Sequence, residues 1–444
     1  LFAASYGEEP EIAIRILLYL RDIRQGQGER YIFRKVMLYL ATHEIDRAIR
    51  VLRRLPELGR FKDLVETYGL HTKLNEEILN LYIAGLRNKD QQGLAAKWIP
   101  RKNKLPNSRL FRNALASALG VNTEGLRKIF TKLTNVVETP MCHGPKGDFS
   151  AWKKINFEHV PSKAMTKYSK AFRRNAKEEF EKYLESVKKG EKKINTSAVY
   201  PYDVVRTSDA RTADEMWKKL PDFIGEGQSF VPIIDVSGSM QTPADMKAGY
   251  GSVTCMDVAV SLGIYLAERN KSVFKDLMIT FSDNPAAVII PQGSIKTKYA
   301  FVVRQNWAGS TNLDAALRLV LRIAREGNVS QDDLPKTLLV LSDMEFNAAG
   351  SFGPYNWQRR NNPEKDKTAY ERITKEFQNA GYTVPNLVWW NIQSRNSSTP
   401  VRHDTTGTAL VSGFSPSIMR RLLSKDMTPR AQMLETINIP RYDH

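Results

Sequence analysis

The first half of the chain is patterned as a series of amphipathic helices. From Glu11 to Arg24, apolar residues recur at intervals of three and four positions, which is the period of a helix that buries one face. The same period continues through 31–41, 45–55, 74–86, 108–118 and 124–133, with short turns between the segments. Short connections place successive helices antiparallel. The pattern therefore predicts an all-α helical array.

The segment 134–162 breaks this period with prolines and glycines, which indicates an ordered loop or a linker. A long helix is predicted over 162–189, with Met165, Phe172 and Phe180 among the inward positions. Lysines and arginines occupy its remaining face. It is the most basic helix that the pattern predicts.

Beyond Pro221 the pattern changes to short apolar runs that alternate with helical periods. Strands are predicted at 230–235, 277–281, 337–341 and 386–390, and helices at 252–269, 312–325, 368–379 and 415–424. Repeated strand and helix predict a parallel sheet covered on both faces, with ligands at the carboxyl ends of the strands. We therefore expect a multidomain chain, with an all-α domain over 1–222 and a doubly wound, Rossmann-like α/β domain over 223–444.

The composition excludes several classes of protein. With 444 residues of which 42% are hydrophobic, the chain can bury sizeable cores, so disorder is not expected. Its two cysteines, Cys142 and Cys255, are too few for a disulfide framework or a cysteine-built zinc site, which predicts a reducing, cytoplasmic location. Apolar stretches such as 384–392 are shorter than the roughly 20 residues of a membrane helix. No membrane association is expected.

The net charge of +18 is concentrated in the first half. Residues 1–222 hold 42 Lys and Arg against 27 Asp and Glu, whereas residues 223–444 hold 24 against 21. The segment 101–200 alone carries 22 against 9, a net charge of +13. Such an excess favours a polyanionic partner such as nucleic acid, because neutralising phosphates releases counterions. A solvated lysine-rich surface is the alternative.

Oxygen-bearing side chains cluster after the predicted strands. The first strand is followed by Asp235, Ser237 and Ser239, and further loops carry Thr311 and Asp343. A carboxylate with two hydroxyls on one loop suits a hard cation such as Mg²⁺, and Gly238 between the serines is expected to allow a tight backbone turn. A simple turn or helix cap is the alternative for so short a pattern.

This constellation resembles the metal-ion-dependent adhesion site of von Willebrand factor A domains. The resemblance implies that Mg²⁺ or another divalent cation is surrounded by Asp235, Ser237, Ser239, Thr311 and Asp343, some directly and some through water. It also implies an open coordination position for an acidic group of a partner. Hydrolysis would need a second metal or a general base, for which only Asp314 and Glu345 are near in sequence. We therefore expect binding and no catalytic residue.

A basic helical array followed by such a domain resembles the Ro autoantigen family, whose TROVE region is a ring of HEAT-like helices closed by a von Willebrand factor A domain. The nearer resemblance is to uncharacterised relatives of that family in plants, bacteria and phages. The segments that carry it are 18–30 (LYLRDIRQGQGER), 95–100 (AAKWIP), 233–240 (IIDVSGSM), 280–282 (TFS) and 342–346 (SDMEF). They are spread over nearly the whole chain.

The resemblance to Ro implies a non-catalytic, RNA-binding ribonucleoprotein scaffold, a monomeric ring that binds small non-coding RNA that is structured or has single-stranded ends. Cations near aromatic residues are the candidate contacts. They form three groups: Lys153, Lys154, Lys163, Lys167, Lys170, Arg173, Arg174 and Lys177, near Trp152, Phe157, Tyr168 and Phe172; Arg101, Lys102, Lys104, Arg109 and Arg112, after Trp98; and Arg21, Arg24 and Arg30.

Three alternatives stay open at this point. For the third group of cations, helix-end capping and ion pairs to Asp22 and Glu29 explain the pattern equally well. A second function is a Mg²⁺-dependent interaction module that captures an Asp or Glu of a partner protein. A metal-dependent nuclease or phosphatase is the third.

Overall fold

The computed structural model describes residues 1–101, 107–134, 137, 140–141, 150–224, 229–244, 252–282, 284–305, 313–343, 373–393, 408–413 and 429–444. Several predicted features lie outside these residues. They are Lys102, Lys104, Thr311, Glu345 and the helix 415–424.

The N-terminal part of the chain is helical, as its period predicts. The helices described over residues 1–134 are α1 (Phe2–Glu8), α2 (Pro10–Arg21), α3 (Tyr31–His43), α4 (Ile45–Leu58), α5 (Phe61–Thr67), α6 (Thr72–Arg87), α7 (Gln92–Trp98), α8 (Ser108–Ala118) and α9 (Thr123–Leu133). In α4, Val51 and Leu55 are fully buried while Arg50 and Arg53 are exposed. Each helix thus buries its apolar stripe in one common core.

Close packing of two of these helices depends on a glycine. A Cβ atom added at Gly85 of α6 would lie 2.5 Å from Cζ of Phe61, the first residue of α5. Tyr82, one turn earlier on α6, donates a hydrogen bond from its hydroxyl to the carbonyl of Phe61 at 2.8 Å. The absence of a side chain at residue 85 therefore lets the Phe61 ring reach the core.

The basic segment after residue 150 forms two helices where one was predicted. Two short 3₁₀ turns, Ser150–Lys154 and Phe157–His159, precede α10 (Ser162–Asn175) and α11 (Lys177–Lys188). The prediction of one helix over 162–189 is wrong because Ala176, with φ −144° and ψ 52°, leaves the helical region. The inward positions Met165, Phe172 and Phe180 are confirmed, since all three are fully buried.

The second half contains the predicted sheet. Its strands are β1 (Phe230–Asp235), β2 (Leu277–Phe281), β3 (Ala287–Ile289), β4 (Thr337–Ser342), β5 (Asn386–Asn391) and β6 (Thr408–Ser412). They lie in the order β3-β2-β1-β4-β5-β6, and all pairs are parallel except β2 with β3. The sheet is therefore mixed, and its outermost strands β3 and β6 were not predicted.

Helices cover both faces of this sheet. Those described are α12 (Pro201–Val205), α13 (Ala210–Lys218), α14 (Cys255–Arg269), α15 (Ile295–Val303), α16 (Leu313–Glu326) and α17 (373–379). Ile233 of β1 belongs to one core with Leu317 of α16. Its neighbour Ile234 faces the other side, where a Cβ added at Gly263 of α14 would lie 2.1 Å from Ile234 Cδ1. Helical N-terminal and α/β C-terminal architecture is thus confirmed.

The chain divides into two compact units. The helical unit comprises 1–165, 171–198 and 429–444, and the α/β unit comprises 166–170 and 199–428. These bounds differ from the predicted division at residue 222, because α13 packs into the α/β unit, where Trp217 Nε1 donates to Glu268 of α14 at 2.7 Å.

The segment 429–444, with helix α18 (Pro429–Ile437), belongs to the helical unit. Arg441 donates to both carboxylate oxygens of buried Asp22 at 2.5 and 3.0 Å, and the Tyr442 hydroxyl donates to Asp22 at 3.1 Å. These bonds fix the segment 429–444 next to the turn that follows α2.

Candidate functional site

Two of the predicted metal ligands, Asp235 and Asp343, meet at the carboxyl edge of the sheet. Strands β1 and β4 are parallel neighbours, with Ile234 opposite Leu341. Asp235 therefore ends β1 beside the end of β4, where Asp343 follows the last residue of the strand. Both carboxylates are fully buried. The sequence pattern thus brings two acidic side chains, 108 positions apart in the chain, to one place.

Hydrogen bonds hold the Asp235 carboxylate in a fixed orientation. Ser342 Oγ donates to Oδ2 at 2.6 Å, and the backbone N–H of Ser237 donates to Oδ1 at 3.0 Å. The hydroxyls of Ser237 and Ser239 lie 3.0 Å apart. One carboxylate and two hydroxyls therefore lie on one short loop.

The expected reason for Gly238 is wrong. Gly238 is not among the glycines with positive φ, and a Cβ added there would meet nothing within 4 Å. Residues 238–241 form a short 3₁₀ turn, a conformation that any residue can adopt.

Burial makes the site electrostatically unfavourable without a cation. Burial, together with a smaller effect of the nearby Asp343 carboxylate, raises the pKa of Asp235 to about 6, while the hydrogen bonds from Ser342 and Ser237 oppose the change. Two buried carboxylates with adjacent hydroxyls are oxygen donors that a hard divalent cation prefers. The described donors therefore fit Mg²⁺. Within the described ranges, no group of three or more His, Cys, Asp or Glu side chains that could hold a metal ion occurs.

Two residues that the sequence reasoning missed support the loop of the serines. Gln393, fully buried two residues after β5, donates from Nε2 to Oγ1 of Thr242 at 2.8 Å. The N–H of Thr242 donates to the carbonyl of Ser239 at 2.9 Å. A polar residue just beyond the end of β5 was the available signal, because Asp343 was recognised from its place directly after β4.

The basic face predicted on α10 exists and is solvent-exposed. Lys163, Lys167, Lys170 and Arg174 follow at intervals of four, three and four residues, so they lie on one stripe of the helix. All four are exposed. The buried positions 162, 165, 169 and 172 form a separate stripe of the same helix. We call these four cations the basic stripe.

Other members of this group have different surroundings. Lys153, Lys154 and Lys177 are exposed, whereas the half-buried Arg173 donates to Glu181 at 3.0 Å. The aromatic residues Trp152, Phe157 and Phe172 are buried against one another. They form core, so among the aromatics predicted near this group only Tyr168, half-buried with Lys167 Nζ 4.8 Å from its ring centroid, reaches the surface.

The second group of cations is only partly described. Arg101 is exposed, with its guanidinium 5.7 Å from the ring centroid of Phe130. Arg109 is exposed as well, and half-buried Arg112 donates to the carbonyl of Pro100 at 3.2 Å. These contacts leave Arg101 and Arg109 accessible to a ligand.

The third group separates in the structure. Arg21 is fully buried and donates to Asp63 from Nε at 3.0 Å and from Nη2 at 2.5 Å. This ion pair removes Arg21 from the candidate RNA contacts, because a buried guanidinium cannot reach a phosphate. Arg24 and Arg30 are exposed, and Arg24 donates to the carbonyl of Glu57.

Comparison with known proteins divides the chain in a similar way. Residues 70–223 match the family described as "Domain of unknown function (DUF2828)", and residues 229–438 match that described as "Domain of unknown function (DUF7788)". The chain is similar to "Uncharacterized protein L728" of Acanthamoeba polyphaga mimivirus, with 26% identity over 98% of this chain and 81% of that protein. None of the helices among the described residues is long and apolar enough to span a membrane.

Proposed function

We propose that the protein is a non-catalytic RNA-binding scaffold of the Ro type, in which the basic stripe contacts the phosphate backbone of a small RNA. The observation that carries this proposal is the placement of Lys163, Lys167, Lys170 and Arg174 on one exposed face of α10. Cations at intervals of three and four residues are about 5–6 Å apart on a helix, so they act on a polyanion together. The net charge of +13 over 101–200 adds to the same potential.

A charge-neutralising pair of variants tests this proposal. We expect Lys167→Gln with Lys170→Gln to weaken binding of a labelled small RNA about tenfold near 0.1 M salt, since each lost phosphate contact lowers the slope of log K against log salt by about 0.7–0.9. Fluorescence anisotropy over a salt series measures both quantities. The matched control is Arg322→Gln with Arg325→Gln, which removes two exposed cations from α16.

The proposal fails if both pairs change the affinity and the salt slope equally. The observed effect would then reflect net charge alone, and no particular surface would be responsible. A wild-type protein without RNA affinity at physiological salt contradicts the proposal outright.

In this proposal the α/β unit holds a divalent cation, as in von Willebrand factor A domains. Asp235, Asp343, Ser237 and Ser239 would hold it, together with Thr311, which lies outside the described residues. The cation supplies a Lewis-acidic position for one further oxygen ligand. The protein residues hold the carboxylates in place and exclude water from them.

A second candidate function is Mg²⁺-dependent capture of an acidic residue from a partner protein. It is favoured by the burial of Asp235 and Asp343 together, an arrangement that a cation stabilises and that RNA binding by α10 does not require. An Asp343→Ala variant should lose Mg²⁺-dependent partner capture while keeping the RNA affinity of the wild type. Mg²⁺-dependent turnover of RNA or a phosphate ester, abolished by the same variant, would replace both proposals with an enzyme.

A further inference from the structure

A cavity of about 550 Å³ lies in the α/β unit, away from the candidate metal site. Its lining comes from the C-terminal turns of α13 and α14 and from the first turn of α15 with the two residues before it. Asn270, directly after α14, donates to the carbonyl of Phe230, the first residue of β1, so the cavity is at the amino edge of the sheet. The 15 residues of α14 span about 22 Å from here to Cys255, whose N–H donates to the carbonyl of Thr242 in the loop of the serines.

The two carboxylates that line this cavity already have partners. Glu268 of α14 accepts a hydrogen bond from Trp217 Nε1 at 2.7 Å and pairs with Lys298 of α15. Asp214 of α13 accepts the backbone N–H of Ile295 at 2.8 Å. Each acidic group is therefore engaged with a donor of the protein, and a cationic ligand is not favoured.

The cations of the lining differ from one another in their partners. Lys218 pairs with Glu215 at 2.9 Å, and Lys298 pairs with Glu268. Arg269, the last residue of α14, has no carboxylate partner in the part of the chain that the structure describes. Its positive charge is therefore available to an anion in the cavity.

The guanidinium of Arg269 is held in place by aromatic residues. It lies 4.0 Å from the ring centroid of Tyr265 and 5.8 Å from that of Trp217, and its Nη2 donates to the carbonyl of Trp217 at 3.1 Å. Its other N–H groups make no hydrogen bond to the described residues. Because a guanidinium presents paired N–H groups in a rigid plane, it binds two oxygens of one oxyanion at the same time.

We propose that this cavity binds a small organic phosphate, with Arg269 holding the phosphate group and the exposed Lys218 adding its charge. The volume lies within the roughly 300–1,000 Å³ of small-molecule sites, so the ligand has an organic body beside its anionic group. A phosphate monoester carries about 1.5 to 2 negative charges and three terminal oxygens, so it can use both cations. A carboxylate has one charge and two oxygens. The proposal depends on neither the RNA-binding function nor the divalent cation.

The experiment titrates the whole protein, in EDTA, with phenyl phosphate. The readout is the indole N–H resonance of Trp217 in protein labelled with ¹⁵N-tryptophan, assigned with Trp217→Phe. We expect a saturable shift of this resonance, and Arg269→Gln should raise the Kd about 10- to 150-fold, which is the loss of a charged hydrogen-bond partner. The indole resonances of the other tryptophans show whether the variant is folded.

A second pair of variants tests the cavity without changing Arg269. Lys218→Gln should weaken binding of phenyl phosphate about two- to fivefold, as expected for an exposed charge. The matched control is Lys219→Gln, which removes the same charge from the adjacent exposed residue outside the lining and should leave the Kd unchanged.

Three results would overturn the proposal. The first is a Trp217 resonance that millimolar phenyl phosphate does not shift. The second is the same Kd in the wild type, in folded Arg269→Gln and in Lys218→Gln, because the cations of the lining would then not hold the ligand. The third is equally tight binding of benzoate, which would make the cavity a site for carboxylates.

Discussion

The carboxyl edge of the sheet and the basic stripe of α10 place charge in opposite ways. At the sheet edge, two like charges are buried and Asp235 is held by hydrogen bonds of 2.6 and 3.0 Å. On α10, like charges are spread over an exposed helical face. The buried carboxylates destabilise the folded protein until a cation binds in one defined position. The exposed cations attract an anion from any direction, and salt screens this attraction.

The difference shows what each region can recognise. Buried carboxylates in a fixed geometry select a ligand by its size and coordination number, which suits a single ion. Exposed cations on flexible side chains select by charge density, which suits a polymer of phosphates. If both proposals hold, substitutions at the sheet edge change affinity sharply at constant salt, and substitutions on α10 act mainly through the salt dependence.

The largest expected effect comes from Asp235→Asn. The folded pKa of about 6, against an ordinary value of 3.8, corresponds to about 3 kcal/mol of destabilisation once the carboxylate is ionised. Because the folded state binds this proton more tightly than the unfolded chain, the metal-free protein loses stability as the pH rises from about 4 to about 6. The variant should remove this loss and should weaken Mg²⁺ binding at least about 100-fold.

Hydrogen exchange of the β1 and β4 amides at pH 5 and pH 7, with EDTA and with Mg²⁺, measures the local stability. Isothermal titration measures the Mg²⁺ affinity. Protection that is independent of pH in metal-free wild type would show that Asp235 does not carry the cost inferred from its burial. The control Ser330→Ala removes a hydroxyl that bonds the exposed Asp333 and should leave both measurements unchanged.

A smaller effect is expected where the loop of the serines is tied to β5. Thr242→Val removes the acceptor of the Gln393 amide at nearly constant volume, and Gln393 Oε1 has no hydrogen-bond partner among the described residues. The side-chain amide of Gln393 then loses its hydrogen bond to residue 242. The variant should therefore bind Mg²⁺ about tenfold more weakly, as happens when residues that support metal ligands are substituted. Thr242→Ser should restore it. Equal affinities in the Val and Ser variants would exclude this positioning role.

Sequence patterns predicted the helices and strands of both regions better than they predicted which side chains contact one another. The strand ends at Asp235 and Asp343 could be located because a buried parallel strand is an apolar run with a clear end, and parallel strands end at one edge. The sequence contained no comparable sign that Gln393 bonds Thr242, 151 positions away, because a side-chain hydrogen bond leaves no period. Helix and strand periods are local, whereas side-chain partners depend on the tertiary fold.

The cations illustrate the same limit. Arg21 and Lys167 both belong to amphipathic helices of the basic half, and their sequence surroundings do not separate them. The structure separates the two residues. Arg21 is buried against Asp63, which lies 42 positions later in the chain, whereas Lys167 is exposed. The division at Ala176 was missed for another reason. Alanine favours helices intrinsically, and the break there accompanies a contact between Phe172 of α10 and Phe180 of α11, whose ring centroids lie 5.5 Å apart.

The smallest expected effect distinguishes two adjacent arginines of α10. Arg174 is exposed on the basic stripe, whereas Arg173 donates to Glu181 and lies with its guanidinium 6.0 Å from the ring centroid of Phe180. Removing Arg174 should lower the salt slope of RNA binding by about 0.7–0.9, and removing Arg173 should lower it less, because that cation is already partly neutralised by a carboxylate. The two single Gln variants carry the same net charge, so a difference between their slopes isolates position from charge. Equal slopes would show that the stripe does not act as a defined surface, and the contrast with the sheet edge would then be one of burial alone.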